Sequence, residues 1–146
     1  MEILLVTSYK ETGAAAIDIQ TGVSHLFKDC LADTGTLTLL GSHQSYSGHG
    51  SSDYIAIAQS KKPVIHLWQW GKSQVQMQCH QQEIITALVA DPNGNFLMGG
   101  SKTGRIYVWN IPNGHLLFVW QAHFKNITRL KLSSRGGQIV ILFECF

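Results

Sequence analysis

The stretch IITALVADPNGNFLMGGSKTGRIYVWNIPNGHLLFVWQAH, residues 84–123, decides the fold class of this 146-residue chain. It contains four short runs rich in aliphatic and aromatic residues, and the sequences Asp91-Pro92-Asn93-Gly94 and Pro112-Asn113-Gly114 lie between them. Proline sets φ near −65° and glycine tolerates positive φ, as tight turns require. Because strands joined by tight turns pair antiparallel, the stretch predicts a four-stranded antiparallel sheet.

The same unit recurs earlier in the chain. Trp68 and Trp109 each lie late in a strand of similar sequence and are 41 residues apart. A turn, another strand and a histidine follow each of them, and the two histidines, His80 and His123, are 43 residues apart. Repeats of this length indicate an array of similar supersecondary units.

A third, degenerate copy opens the chain. Residues 19–22 (Ile-Gln-Thr-Gly) align with residues 111–114 (Ile-Pro-Asn-Gly), which places Ile17-Asp18 opposite Trp109-Asn110. Ile17 and Trp68 are 51 residues apart, about ten more than Trp68 and Trp109. We therefore expect the segment GSHQSYSGHGSS, 41–52, to be a looped insertion. A period of roughly 40 to 45 residues with four strands per unit is typical of propeller blades.

These units resemble WD repeats, in which a Gly-His pair stands near the start and a Trp-Asp pair ends the third strand. The chain has weakened forms of both pairs, namely Ala122-His123, Cys79-His80, Trp109-Asn110, Trp68-Gln69 and Ile17-Asp18. The resemblance covers about residues 3–140. It implies an all-β partial WD-repeat β-propeller, about three blades of a seven-blade ring, with antiparallel four-stranded blades.

The resemblance also divides the chain into blades. Blade one is expected at 2–31, blade two at 34–80 with the insertion at 41–52, blade three at 84–123, and an incomplete blade four at 127–146. A closed ring needs about seven such units, so we expect 1–146 to be a fragment of a ring. Its unpaired strand edges predict poor stability or oligomerisation of the isolated chain.

WD repeats hold each blade together with a buried hydrogen-bonded set of His, Ser or Thr, Asp and Trp. The resemblance assigns structural repeat positions to Trp68, Trp109, His80, His123, Ser101 and Asp18. Thr103 stands where the third unit should have the Asp, so that set is predicted to be incomplete. Such residues stabilise the fold and carry out no chemistry.

No catalytic, cofactor or metal site is predicted. The nucleophile-elbow sequence G-x-S-x-G is absent. Residues 99–104, GGSKTG, resemble a phosphate loop, but a strand follows them and leaves no helix N-terminus for an anion. His43 and His49 could bind a metal, yet no third and fourth ligands stand at recognisable spacing.

Composition limits the remaining classes. A hydrophobic content of 45% and a net charge of +2 exclude a disordered acidic tail and a strongly basic one. Charge is uneven, however: residues 1–60 carry two basic and six acidic groups, and residues 61–146 carry nine and three. This asymmetry fits either a face that meets RNA or an acidic partner, or scattered surface charges.

Cysteine spacing and hydropathy bear on the compartment. Cys30, Cys79 and Cys145 are far apart and form no C-x-x-C pair, which argues against a disulfide framework or a thiolate zinc site. No apolar run approaches the roughly 20 residues that span a bilayer. We therefore expect an intracellular protein with no membrane association.

Two surface features are candidates for protein contact. His43, Tyr46 and His49 lie in the predicted insertion, and a polar loop added to a repeat generally lies on one face. Trp120 lies outside the Trp68 and Trp109 register, and packing between blades is the first expectation for it. An aromatic anchor for a partner protein is the alternative.

The order of the units is similar to that of the propeller subunits of complexes that process rRNA in precursors of the large ribosomal subunit. This resemblance implies a non-catalytic scaffold of ribosome biogenesis in the nucleus and nucleolus. Its partners would be other protein subunits of a pre-ribosomal processing complex, with RNA in indirect proximity, no cofactor and no small-molecule substrate. The alternatives are an adaptor of another assembly, such as a ubiquitin ligase or a DNA-replication factor, and a propeller hydrolase.

Overall fold

The computed structural model describes residues 3–7, 14–27, 37–40, 54–69, 74–91, 94–133 and 139–143. Every regular element within these ranges is a β-strand. The strands are β1 (Ile3–Thr7), β2 (Ala14–Asp18), β3 (Ser24–Phe27), β4 (Leu37–Leu40), β5 (Tyr54–Ala58), β6 (Val64–Gln69), β7 (Val75–His80), β8 (Ile85–Ala90), β9 (Phe96–Ser101), β10 (Arg105–Asn110), β11 (Leu116–Gln121), β12 (Ile127–Leu132) and β13 (Ile139–Phe143). The all-β prediction is confirmed.

The described strands form antiparallel sheets of neighbours in chain order. Their orders are β1-β2-β3, β4-β5-β6-β7, β8-β9-β10-β11 and β12-β13. Strand β8 approaches β4 of the preceding sheet and β12 of the following one. Successive sheets therefore meet along their first strands, as the blades of a partial propeller do.

A register irregularity marks the repeat tryptophans. The β6–β7 ladder shifts between Leu67 and Trp68, and the β10–β11 ladder shifts between Val108 and Trp109. An extra residue in one strand locally bends it and increases its twist. The two units thus share a backbone feature at the position that their sequences align.

Strand β10 shows why the sheet β8–β11 is buried on both faces. Tyr107 and Trp109 belong to a cluster with residues of β5, β6 and β7, whereas Ile106 and Val108 belong to a cluster with Ile127 of β12. Successive side chains of a strand point to opposite faces. A strand between two sheets therefore needs apolar residues at every position, as RIYVW has.

Two adjacent glycines allow this close packing. A Cβ on Gly99 would lie 2.9 Å from Ile85 Cγ2 and 3.0 Å from the Trp109 ring. A Cβ on Gly100 would lie 2.5 Å from Ile127 Cγ2, on the other face. Any larger residue would push the neighbouring side chains apart.

The aligned turns have the same geometry. Gly22 and Gly114 have φ of 71° and 70°, and their N–H groups donate to the carbonyl oxygens of Asp18 and Asn110 at 2.8 Å in both cases. Glycine accepts this left-handed conformation without steric cost. The match of residues 19–22 with 111–114 is thus a match of backbone shape.

The first sheet packs against the second through aromatic rings. Phe27 of β3 is 1% exposed, and its ring centroid lies 5.0 Å from that of Trp68 on β6. The predicted insertion at 41–52 lies outside the described residues. The division into blades at 2–31, 34–80, 84–123 and 127–146 stays a prediction.

Candidate protein-binding surface

A carboxylate from outside the repeat motif organises the turn between β9 and β10. Thr103 Oγ1 donates to Glu83 Oε1 at 2.5 Å, and the Tyr107 hydroxyl donates to Glu83 Oε2 at 2.6 Å. Arg105 Nη1 lies 3.5 Å from the same oxygen. Glu83, just before β8, thereby ties the turn to β10.

Ser101, the last residue of β9, completes this network. It is fully buried, its hydroxyl lies 3.2 Å from Thr103 Oγ1, and it accepts the Arg105 N–H at 3.2 Å. A buried hydroxyl costs free energy unless it is hydrogen-bonded, and here both neighbours meet that requirement.

The network shifts the pKa values of its two acidic members in opposite directions. Partial burial raises the pKa of Glu83, but the hydrogen bonds from Thr103 and Tyr107 and the charge of Arg105 outweigh it and lower that pKa. Burial raises the pKa of Tyr107, and the Glu83 hydrogen bond and charge add to this rise. The structure therefore favours an ionised Glu83 beside a neutral Tyr107.

The predicted set of His80, Ser101 and Trp109 is not joined by hydrogen bonds in the described residues. Trp109 is fully buried and its ring stacks on Tyr107 with centroids 5.8 Å apart, but its indole nitrogen has no partner there. His80 is exposed at the end of β7. Trp68 is 5% exposed and its indole nitrogen also lacks a partner among the described residues.

His123 and Asp18 occupy turns. His123 Nδ1 accepts the N–H of Lys125 at 3.1 Å, and its ring stacks on Phe124 with centroids 4.5 Å apart. Asp18 Oδ1 accepts the N–H of Gln20 at 3.0 Å. Desolvation raises the pKa of Asp18, but hydrogen bonds from Thr21 and Gln20 together outweigh it and lower that pKa.

The described residues contain no group of three or more His, Cys, Asp and Glu side chains that could hold a metal ion. His43, Tyr46 and His49 lie outside these residues. Cys79 is 1% exposed, and burial raises the pKa of its thiol to about 11. A thiol in this state is a packing group and not a nucleophile. Within the same residues no helix is long and apolar enough to cross a membrane.

A cleft of about 400 Å³ lies beside β6 and β7, lined by Gln59, Lys61, Lys62, Val64, His66, Gln78 and His80. Burial lowers the pKa of His66, and the charges of His80 and Lys62 lower it further. His66 Nδ1 lies 3.5 Å from Gln59 Nε2. The lining of the cleft carries two lysines and includes no Ser, Thr or Cys.

Strand β11 presents a continuous exposed surface that is largely apolar. We call residues 116–121 the edge surface; every one of them is exposed, including Phe118 at 56% and Trp120 at 50%. The expectation that Trp120 packs between blades is wrong for the described part of the chain. The reason is its strand: β11 lies at the edge of its sheet, and neither buried cluster beside that sheet includes Trp120.

A groove of about 510 Å³ runs along one side of the edge surface. Its lining includes Leu116 and Val119 of β11, Arg105 and Tyr107 of β10, and His80 to Gln82 of the segment after β7. The amide of Gln81 is buried, and neither its nitrogen nor its oxygen has a partner among the described residues. Apolar walls with a few polar groups are typical of protein contact surfaces.

Residues 71–110 match the WD domain, G-beta repeat. This range runs from the last strand of one sheet, β7, through β8, β9 and β10 of the next. The sequence repeat is therefore offset from the sheet boundaries, so that the matched repeat includes strands of two sheets. The chain therefore carries a WD repeat at residues 71–110.

Three curated relatives align along most of this WD-repeat chain. It is 32% identical over 142 residues to Protein ROOT INITIATION DEFECTIVE 3 of Arabidopsis thaliana, covering 96% of the chain and 31% of that protein. It is 28% identical over 131 residues to Pre-rRNA-processing protein IPI3 of Yarrowia lipolytica, covering 88% and 29%. It is 28% identical over 142 residues to Pre-rRNA-processing protein pro-1 of Caenorhabditis elegans, covering 95% and 26%.

The chain thus spans less than a third of the length of each of these relatives.

Two features of the surface were not expected from the sequence. Glu83 stands outside every motif, and no local pattern signals its role, because its partners Thr103 and Tyr107 lie 20 and 24 positions away in the chain. The apolar run LLFVWQ at 116–121 looked like a core strand, because hydropathy does not distinguish a central strand from an edge strand.

Proposed function

We propose that the chain is part of a non-catalytic WD-repeat scaffold in an assembly that processes pre-rRNA and matures the large ribosomal subunit. The observation that carries this proposal is the alignment of 88% and 95% of the chain with proteins named for pre-rRNA processing, one fungal and one from a nematode. The partners would be other protein subunits of that assembly, with RNA in indirect proximity. The location would be the nucleus and nucleolus.

The chemistry of the described residues supports a non-catalytic role. The carboxylate of Glu83 has a lowered pKa, and its oxygens accept hydrogen bonds from Thr103 and Tyr107. A catalytic carboxylate is instead usually raised toward the working pH. The buried thiol of Cys79 is equally unsuited to attack.

Within this scaffold, we assign Trp68, Trp109, His80, His123, Ser101 and Asp18 to structural work. Trp109 and Ser101 are fully buried between sheets, and Asp18 and His123 accept turn hydrogen bonds. His43, Tyr46 and His49 of the insertion are proposed as protein contacts. No cofactor enters the proposal.

Affinity purification from cells tests the proposal. The natural full-length protein that contains this chain is tagged at its own locus, and an untagged strain serves as the control. We expect pre-rRNA-processing proteins and large-subunit precursors to be recovered, and depletion to accumulate unprocessed pre-rRNA. Recovery of ubiquitin-ligase or replication subunits without pre-ribosomal proteins would contradict the proposal and favour the adaptor alternative.

A further inference from the structure

Strand β11 leaves a hydrogen-bonding edge open within the described residues. It pairs with β10 on one side and has no strand on the other. Natural edge strands are usually blocked by Lys, Glu or Pro, or by burial under other elements. Residues 116–121, LLFVWQ, contain no charge and no proline, and all six are exposed.

Both faces of this edge are apolar. Opposite residues of an antiparallel pair point to the same face, so Trp120 lies on the face of its partner Ile106, and Phe118 on the face of Val108. Val119 is opposite Tyr107 and faces the groove on the other side. An added strand would therefore meet apolar neighbours on each face.

Two lysines stand at the C-terminal end of β11. Its last residues lie beside the β9–β10 turn, where Ala122 N–H donates to Gly104 O at 3.1 Å, and this turn carries Lys102. Lys125 follows the strand in the chain. Residues 101–133 include no Asp or Glu, and the nearby Glu83 is paired with Arg105, so the charge that complements these two lysines is negative.

We propose that β11 is a docking strand, to which an extended segment of a partner protein adds as a further strand of the sheet β8–β11. The segment is apolar in its centre and acidic at one end. Its main-chain groups pair with the open edge, and its charges meet Lys102 and Lys125. This is recognition by strand addition, in which main-chain hydrogen bonds supply affinity and alternate side chains supply specificity.

A peptide fits this edge better than RNA does. The open side of a strand presents N–H and C=O groups at the spacing of another strand, and a nucleic-acid backbone carries no matching ladder of donors and acceptors. The two lysines lie at one end of β11 and not along it. RNA binding at this site is therefore an outcome that the test must exclude.

The experiment uses the 146-residue chain and a fluorescein-labelled peptide, Asp-Asp-Val-Thr-Val-Thr-Val-Asp-Asp. Its partner probe is the same peptide with N-methyl groups on the three valines, which removes main-chain donors and leaves the charges unchanged. Fluorescence anisotropy is expected to show saturable binding of the first peptide, weakened by salt. The second peptide is expected to bind more weakly by about tenfold or more. Equal binding of both peptides overturns the proposal.

Chain variants localise the site. Trp120→Gln and Val119→Pro should weaken peptide binding about tenfold, because one removes an apolar side chain that the added strand would contact and the other removes a main-chain donor. Phe124→Gln is the matched control, since Phe124 is 81% exposed but lies off β11, and it should bind as the unaltered chain does. Circular dichroism checks that each variant is folded. If a variant is unfolded, the comparison of the two peptides on the unaltered chain still tests the proposal.

Two further results would overturn the proposal. Sedimentation velocity showing dimers that Trp120→Gln dissociates and the peptide does not would mean that a second copy occupies β11. Competition between the peptide and a 12-nucleotide oligouridine would mean that the site binds RNA. The proposal is independent of the ribosomal one, because loss of peptide binding leaves the co-purification result unchanged, and the reverse also holds.

Discussion

The hydroxyl of Thr103 donates a 2.5 Å hydrogen bond to Glu83 Oε1, between residues 20 positions apart in the chain. In WD repeats an aspartate belongs at the position of Thr103. Here the carboxylate comes from the segment before β8, and the turn supplies the donor. The turn is therefore anchored to the start of its sheet by a carboxylate from outside the turn.

Glu83→Ala should destabilise the chain by about 1–3 kcal/mol, because it leaves the hydroxyls of Thr103 and Tyr107 without their acceptor. Urea denaturation followed by circular dichroism measures the change. Gln82→Ala is the control, since Gln82 is the exposed neighbour of Glu83. Equal midpoints for Glu83→Ala and the unaltered chain would show that the network contributes nothing.

The stability of the chain should fall in acid partly through Glu83. Its folded pKa is lowered, so this contribution is complete above the unfolded value of about 4.3 and disappears as the pH falls through the folded pKa. His66 acts in a different window: its lowered folded pKa makes stability fall as the pH drops below about 6.5. Urea midpoints against pH for the unaltered chain and Glu83→Gln isolate the first effect, and parallel curves below pH 5 would contradict it.

Thr103→Asp, which introduces the residue that WD repeats have at this position, should destabilise this chain. The new carboxylate would stand beside Glu83, and two like charges at hydrogen-bonding distance cannot both stay ionised without cost. In the background of Glu83→Gln the same substitution should be tolerated, because the side-chain amide can donate to the aspartate. A double-mutant cycle of unfolding free energies measures the coupling, and additive effects would show that the two positions do not interact.

Gly100→Ala should destabilise the chain by about 1–3 kcal/mol, since its Cβ would lie 2.5 Å from Ile127 Cγ2. Ile127→Ala opens a cavity at the same place and should cost about 2–5 kcal/mol by itself. The double variant should lose less than the sum, because the new methyl group enters the space that the isoleucine vacates. Thermal melting of the four proteins tests this, and a double variant that loses as much stability as the sum, or more, would contradict the packing.

Cys79 should resist alkylation in the folded chain. With a pKa of about 11, about one thousandth of the thiol is ionised at pH 8, and the side chain is buried between the second and third sheets. Peptide mapping after iodoacetamide treatment should find Cys79 modified in urea and unmodified without it. Rapid modification of the native chain would mean that the second and third sheets separate readily.

Much of the fold follows from the sequence through local chemistry. The turns at Gly22 and Gly114 could be aligned because a glycine with positive φ is needed at one position of that turn. The strands of the third unit could be placed because Tyr107, Trp109 and their neighbours form a continuous apolar run bounded by turn residues. The role of Glu83 could not be predicted in this way, because it depends on a contact across 20 residues.

By itself, the sequence determined the class of structure: the recurrence of Trp68 at Trp109 and the matching turns specify repeated antiparallel sheets, because strand period and turn conformation are local properties. Only the tertiary structure decided which apolar strands are covered. RIYVW of β10 and LLFVW of β11 are both rich in apolar residues, yet Trp109 is fully buried and Trp120 is half exposed. The difference arises because β10 lies inside its sheet with a sheet packed on each face, whereas β11 lies at the edge, and position within a sheet depends on long-range pairing.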